Sequence, residues 1–392
     1  MKQINFDQII DRSKSGAICY DGLQQYFGRK DLLPLWIADM NFATPSFIID
    51  ALRKRLEHPI LGYTQEPEAY RQAIIDWVGS HHQWTIKREW IRYMPGIVKG
   101  IGTVVNAMTS RDDEIVIMPP VYHPFHLVPE GNGRTVVACP LITTGETPAV
   151  DFDKLAAVCN ERTRLLIFCN PHNPIGICWD RATLSRLADF CHERGILVIS
   201  DEIHCDMALF GHKHIPFASV SQKAADISIT FQAPTKTFNI AGVVSSHTIV
   251  PNEKIREKYF GWLEANEFDF PHLFAPIATI AAFSEEGEEW RQQMLHYVED
   301  NISFVEDYCR EQLPQIHPIR PQASFLVWLD CRELGLSHKG LIDLFEGRAH
   351  LALNDGAMFG KEGNGFMRLN VGMPRAIVRQ ALEQLKKAVH SA

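Results

Sequence analysis

Between residues 94 and 250 the chain alternates short apolar runs with stretches whose apolar positions recur at helical spacing. The runs are "EIVIM" (114–118), "RTVVAC" (134–139), "RLLIFC" (164–169), "GILVIS" (195–200), "DISIT" (226–230) and "SSHTIV" (245–250). Runs of this size, rich in β-branched residues, have the length of buried strands. Between them, "DFDKLAAVCNE" and "DRATLSRLADFCHERG" read as amphipathic helices. The second opens on Asp180, a good N-cap, and closes on Gly195, a good stop. Strands alternating with helices predict an α/β fold, with a mainly parallel sheet covered on both faces.

The last third has a different rhythm. "GEEWRQQMLHYVEDNISFVEDYCREQL" (287–313) predicts one long amphipathic helix. Strand-like "SFLVWLD" (324–330), helix-like "HKGLIDLFEGR", strand-like "FMRLNV" (366–371) and a closing helix, "RAIVRQALEQLKKAV", follow it. A chain of 392 residues exceeds the size at which one core usually splits. The expected division is a large lobe over 45–285 and a smaller α+β lobe from 1–44 with 286–392. "PHLFAP" (271–276) is the expected connection.

Composition narrows the function classes. Apolar content of 46% and charged content of 22% are those of a soluble globular protein. A net charge of −8 without a basic cluster argues against a nucleic-acid partner. No apolar run reaches the ~18 residues of a membrane span. The start, "MKQINFDQIIDRSKSG", lacks a secretory apolar region, and the nine cysteines contain no C-x-x-C pair. Both point to reduced thiols and a cytoplasmic location. "NIS" (301–303) matches a glycosylation acceptor by chance on this reading.

In open parallel sheets, ligands sit beyond the carboxyl ends of the strands. The residues just after the runs are "PPVYHPF" (119–125), "NPHNPIG" (170–176), "DEIHCD" (201–206) and "APTKTFN" (233–239). One rim thus offers an aromatic ring, an amide, a carboxylate and a lysine. Pyridoxal 5′-phosphate needs such a set: a lysine for covalent attachment, an acid facing the pyridine nitrogen, and a phosphate cradle. Taken singly, each has an ordinary reading. Lys236 could be a solvated charge, Tyr122 a core aromatic and "NPHNP" a rigid turn. Asp201, His204, Cys205 and Asp206 could open a helix or hold a metal.

The motifs in order carry a resemblance over essentially the whole chain. "WIADMNFATP" (36–45), "LGYTQEPEAY" (61–70), "MPGIVKGI" (94–101), "SDEIHCDMALFGHKHIPFAS" (200–219), "APTKTFNIAG" and "GFMRLNVGMPR" (365–375) join the rim loops above. The chain resembles fold-type I pyridoxal-phosphate enzymes of the class I/II aminotransferase family, within their cystathionine β-lyase and C–S lyase subgroup. The resemblance implies a large lobe with a seven-stranded, mainly parallel sheet and a smaller α+β lobe. It makes Lys236 the cofactor-bearing lysine and proton-transfer base, with Asp201 facing the ring nitrogen. Asn173 and His204 belong to the cofactor's surroundings, and Tyr122 stacks on the ring. Ile97, Val98 and Thr235 form the phosphate cradle. Arg368 clamps the substrate carboxylate, with Ala38 beside the substrate. Tyr63 is expected to reach the site from the partner of a homodimer; a tyrosine buried in its own lobe is the competing reading.

Three departures from aminotransferase patterns bear on the reaction. Val244 stands where many carry a phosphate-binding arginine, and His204 where a tyrosine is frequent; both features are shared by the C–S lyases. Ala233 replaces a frequent serine. Asn41 departs from the lyases themselves, which commonly show aspartate there. The expectation is a lyase that cleaves L-cystathionine or related S-substituted cysteines to pyruvate, ammonia and a thiol. An aminotransferase is the nearest alternative, and a cofactor-holding regulatory protein the distant one.

Overall fold

The six apolar runs all become strands of one sheet, and a seventh strand joins them at its edge. The structure is a computed structural model that describes residues 3–144 and 147–391. In chain order the strands are β1 (Ile91–Met94), β2 (Glu114–Ile117), β3 (Thr135–Ala138), β4 (Thr163–Cys169), β5 (Leu197–Asp201), β6 (Ser228–Gln232) and β7 (Ser246–Ile249). Their order across the sheet is β1-β7-β6-β5-β4-β2-β3. β7 runs antiparallel to both neighbours, and the β6, β5, β4, β2 and β3 contacts are parallel. β1 is the strand that the apolar pattern did not mark, since "IRYM" is short and carries an arginine.

Strand alternation divides the core into two layers. Ile115, Ile117, Leu165, Ile167, Ile199, Ile229 and Phe231 pack on one face beneath a helix over Ile97–Met108 and another over Glu253–Ala265. Val116, Leu166, Phe168 and Val198 pack on the other, beneath Arg181–Glu193. That last helix is capped as expected: the Asp180 carboxylate accepts from the Thr183 N–H at 2.8 Å, an interaction that contributes about 1 kcal/mol.

Gly100 explains how closely the first of these helices approaches the sheet. A Cβ there would lie 2.6 Å from the Phe231 ring and 3.0 Å from Met94. Gly100→Ala therefore forces the helix off the sheet. The expected loss is about 1–3 kcal/mol in denaturant unfolding, together with weaker cofactor retention; an unchanged midpoint would refute the tight contact.

Beyond the sheet, two helices, Ser46–Leu56 and Glu68–His82, pack on Phe274–Ala282. The 271–276 stretch therefore opens a packed helix. The chain passes instead through the 28-residue helix Glu285–Gln312 to a four-stranded antiparallel sheet. Its strands are β8 (His317–Ile319), β9 (Leu326–Asp330), β10 (Asn354–Asp355) and β11 (Phe366–Asn370), in the order β8-β9-β11-β10. The helix-like stretch from 338 is α-helical to Ile342 and continues as a wider π turn over Asp343–Arg348. The N-terminal segment returns to this part of the molecule: Leu33–Pro34 pairs in parallel with Leu351–Ala352. Asn301 of the "NIS" match is fully buried and donates to the Val371 and Met373 carbonyls, so it is a packing residue. No helix among the described residues is long and apolar enough to cross a membrane.

Candidate active site

The carboxyl ends of the parallel strands open onto a cavity of about 190 Å³. Nine residues singled out from the sequence line it: Ala38, Ile97, Val98, Tyr122, Asn173, Asp201, His204, Thr235 and Lys236. They come from six separate stretches of chain. What joins them is the register of β4, β5 and β6, which ends these strands together at one rim.

Lys236 is partly buried, and its Nζ donates to the Ala38 carbonyl at 2.5 Å. No carboxylate forms an ion pair with it among the described residues. Burial lowers its pKa to about 8, with Asp39 and Asp201 opposing and Arg368 assisting. Asp201 shows the converse. Burial raises its carboxyl to about 7, while the Ile203 N–H, donating at 3.1 Å, and Lys236 favour the ionised form. The site thus holds an amine and an acid that both titrate near neutrality, a feature frequent in catalytic centres.

Arg368 stands beside the cavity in β11. It joins three parts of the chain: Nη1 donates to Asn173 Oδ1 at 3.1 Å, and Nη2 donates to the Trp36 carbonyl and to Asn354 Oδ1. Its Nε is enclosed and has no partner. Burial brings its pKa down to about 10, and it still remains a cation at neutral pH. The Phe359 ring lies 4.9 Å from the guanidinium, which places the 355–360 segment at this corner together with 36–38.

Ile97 and Val98, expected in the phosphate cradle, occupy the N-terminus of the Ile97–Met108 helix. Gly96 enters it at φ +98°, a conformation open to glycine, and supplies no capping side chain. The first N–H groups of a helix lack intrahelical acceptors and favour an anion. Thr235 lines the same cavity. The buried amine, the enclosed acid and this uncapped terminus fit pyridoxal phosphate, each being matched to one part of it.

Sequence reasoning missed Ser246, whose hydroxyl accepts from the Gly96 N–H at 3.1 Å and donates to the Met94 carbonyl at 2.7 Å. It opened a run that read as one more strand. Because β7 is antiparallel, its first residues reach the rim where its neighbours end. The "SSHTIV" hydroxyls were the available signal. Val244 and Ala233 also line the cavity. Val244 takes left-handed angles (φ 53°, ψ 47°), unusual for a β-branched residue. Asn41 lies near the N-terminal chain, accepting from Arg12 at 2.6 Å.

The competing reading of Tyr63 as a tyrosine buried in its own lobe is excluded: it lies outside the cavity and is fully exposed, and Ile60 and Leu61 beside it are largely exposed. The four metal-type residues of "DEIHCD" divide: Asp201 and His204 line the cavity, whereas Cys205 and Asp206 lie with His82 in a separate group of metal-type side chains, in which Asp206 accepts from His82 at 2.9 Å and from Trp77 at 3.0 Å. His204 is buried, its pKa lowered to about 3 by burial and then by Lys236 and Arg368, so it is a neutral imidazole.

Comparison with known proteins agrees with this geometry. Residues 30–385 match the family "aminotransferase class I and II". Cystathionine beta-lyase PatB of Bacillus subtilis is 39% identical over 98% of this chain and all of its own length. Cystalysin of Treponema denticola, which contains a pyridoxal 5′-phosphate cofactor, superposes with a TM-score of 0.95 at 31% identity over the full length of both chains. The C–S lyase of Staphylococcus hominis gives 0.91 at 33% identity, covering 99% of this chain and 98% of its own. Fold, cavity and relatives lead to one assignment: the chain belongs to the class I and II aminotransferase family of fold-type I pyridoxal-phosphate enzymes, in the branch of the cystathionine β-lyases.

Proposed function

We propose that the protein is a pyridoxal-phosphate C–S β-lyase that cleaves L-cystathionine or related S-substituted cysteines to pyruvate, ammonia and a thiol. The observation that carries this is the partly buried Lys236 amine, which has no carboxylate partner among the described residues, sharing one cavity with the enclosed Asp201 acid. The names of PatB and of the Staphylococcus C–S lyase favour elimination over amino transfer, as does Val244 in place of an arginine.

Bound at this rim, pyridoxal phosphate supplies a sink for the electron pair left at the substrate Cα. The protein's residues supply the rest. Arg368 binds the substrate α-carboxylate and fixes which Cα bond faces Lys236. The Lys236 amine, neutral for a good fraction of the time at pH 7–8, takes the Cα proton, and Cβ–S cleavage then releases the thiolate. Asp201 would hold a proton at the ring nitrogen, Asn173 would hydrogen-bond the ring oxygen, and Tyr122 would flank the ring. His204 lines the same cavity as Asp201. The amides of Ile97 and Val98 and the Thr235 hydroxyl would hold the phosphate. Ala38, whose carbonyl accepts from Lys236, lies where the substrate enters.

We further place the enzyme in the cytoplasm as a homodimer, with residues 45–285 forming the cofactor-binding domain and 1–44 with 286–392 the smaller one. The exposed Ile60, Leu61 and Tyr63 are apolar and aromatic groups that a partner subunit would cover. Tyr63 would then reach the partner's phosphate site. Mixing Tyr63→Phe and Lys236→Ala protomers is expected to restore activity, because one site of each hybrid has both native residues. Hybrids no better than their parents would remove Tyr63 from the partner's site.

The reaction itself is tested with L-cystathionine. Pyruvate and free thiol should form in equal amounts. Accumulation of pyridoxamine phosphate without pyruvate would make the protein an aminotransferase.

A further inference from the structure

Asp201 is followed by a second buried carboxylate, Glu202, that takes no part in the cavity. Strand alternation sends the two to opposite sides of β5, and Glu202 shares its side with Ser200. Five donors converge on it. Ser200 Oγ (2.8 Å), the Phe217 N–H (2.9 Å) and Asn170 Nδ2 (3.5 Å) reach Oε1. His214 Nε2 (3.0 Å) and Gln232 Nε2 (3.0 Å) reach Oε2. These donors come from the ends of β4, β5 and β6 and from the loop that follows. A fully buried carboxylate is expensive unless its hydrogen bonds are complete. Here the donors outweigh burial and keep it ionised, whereas burial keeps His214 neutral.

We propose that Glu202 is a positioning residue for Asp201: its buried carboxylate ties the strand ends that set Asp201 in the cavity wall, and its charge favours a proton between Asp201 and the cofactor's ring nitrogen. The proposal rests on the reading of Asp201 given above. The surrounding charges are arranged around Glu202 in a consistent way. Behind His214, with ring centroids 5.2 Å apart, His82 is engaged by Asp206. The Asp206 carbonyl accepts from Arg291, which is paired with Glu288. His247 is neutral, Cys205 is held as the thiol, and Lys236 lines the cavity with Asp201. Glu202 is therefore the carboxylate that adjoins Asp201 on the other side of the strand, and burial keeps its one ion-pair partner, His214, a neutral donor.

The test compares apoprotein affinity for pyridoxal phosphate and for its carbocyclic analogue, in which carbon replaces the ring nitrogen. Glu202→Gln should weaken pyridoxal phosphate about tenfold more than the analogue, an effect of one charge at partial screening. Ser200→Ala, which removes a donor and leaves the charge, should affect the two ligands equally. Equal losses for Glu202→Gln would reduce Glu202 to a structural role and overturn the proposal. Asp201→Asn separates the two readings. If it discriminates between the ligands and Glu202→Gln does not, only the inference about Glu202 fails; if Asp201→Asn does not discriminate, the Asp201 assignment fails first. Should Glu202→Gln not fold, the double variant Glu202→Leu with His214→Leu removes the carboxylate and its ring donor together and should show the same selective loss. Equal losses there overturn the proposal as well.

Discussion

Replacing Lys236 with alanine is expected to lower turnover by about 10⁴-fold or more, since one side chain serves as both covalent anchor and proton-transfer base. The variant should fold normally, because Lys236 makes one side-chain hydrogen bond, to the Ala38 carbonyl. Purified wild type should be yellow, and the variant should lose this colour on dialysis. Retention of covalent colour would place the attachment on another amine. The pH dependence supplies a sharper check. Only the neutral amine is nucleophilic, so capture of pyridoxal phosphate by the apoprotein rises as pH rises through the amine's pKa. Burial sets that value near 8, against about 10.4 for a solvated lysine. Borohydride trapping should therefore reach half its maximal rate near pH 8. A midpoint near 10 would mean that the cavity does not desolvate Lys236.

Arg368→Lys should raise KM for the amino-acid substrate by about 10²-fold and lower kcat much less. The charge survives this change, but one ammonium cannot reproduce a fork that donates to Asn173, Asn354 and the Trp36 carbonyl at once. The lost charge-assisted pair is worth about 2–3 kcal/mol, which matches that change in affinity. A substrate analogue lacking the α-carboxylate should bind wild type and variant alike. If the analogue loses affinity as well, Arg368 supports the wall of the site and does not read the carboxylate.

Much of the fold was legible because buried parallel strands are apolar on both faces. "RLLIFC" alternates Leu165 and Ile167 against Leu166 and Phe168, and each pair has a helix to meet. The helix over Arg181–Glu193 carried its own cap in Asp180. β1 escaped notice because the edge strand "IRYM" includes an exposure-tolerant arginine and spans four residues. Local pattern also gives no strand direction. The antiparallel β7, and with it the place of Ser246 at the rim, arises from pairing between residues far apart in the chain.

The same division holds for the site. Residue type and spacing suffice to show which chemistry is available: a lysine among small neighbours, an acid at a strand end, an amide loop and a glycine turn entering a helix, all placed after predicted strands. How these groups behave depends on packing. Desolvation brings Lys236 down toward 8 and Asp201 up toward 7, because burial depends on what the rest of the chain packs around them. Packing also brings Arg368, far along the chain, to Asn173, and leaves Tyr63 outside its own cavity. The five donors of Glu202 gather only when three strand ends and a loop come together. That assembly fixes a charge whose presence in "DE" the sequence shows and whose surroundings it does not.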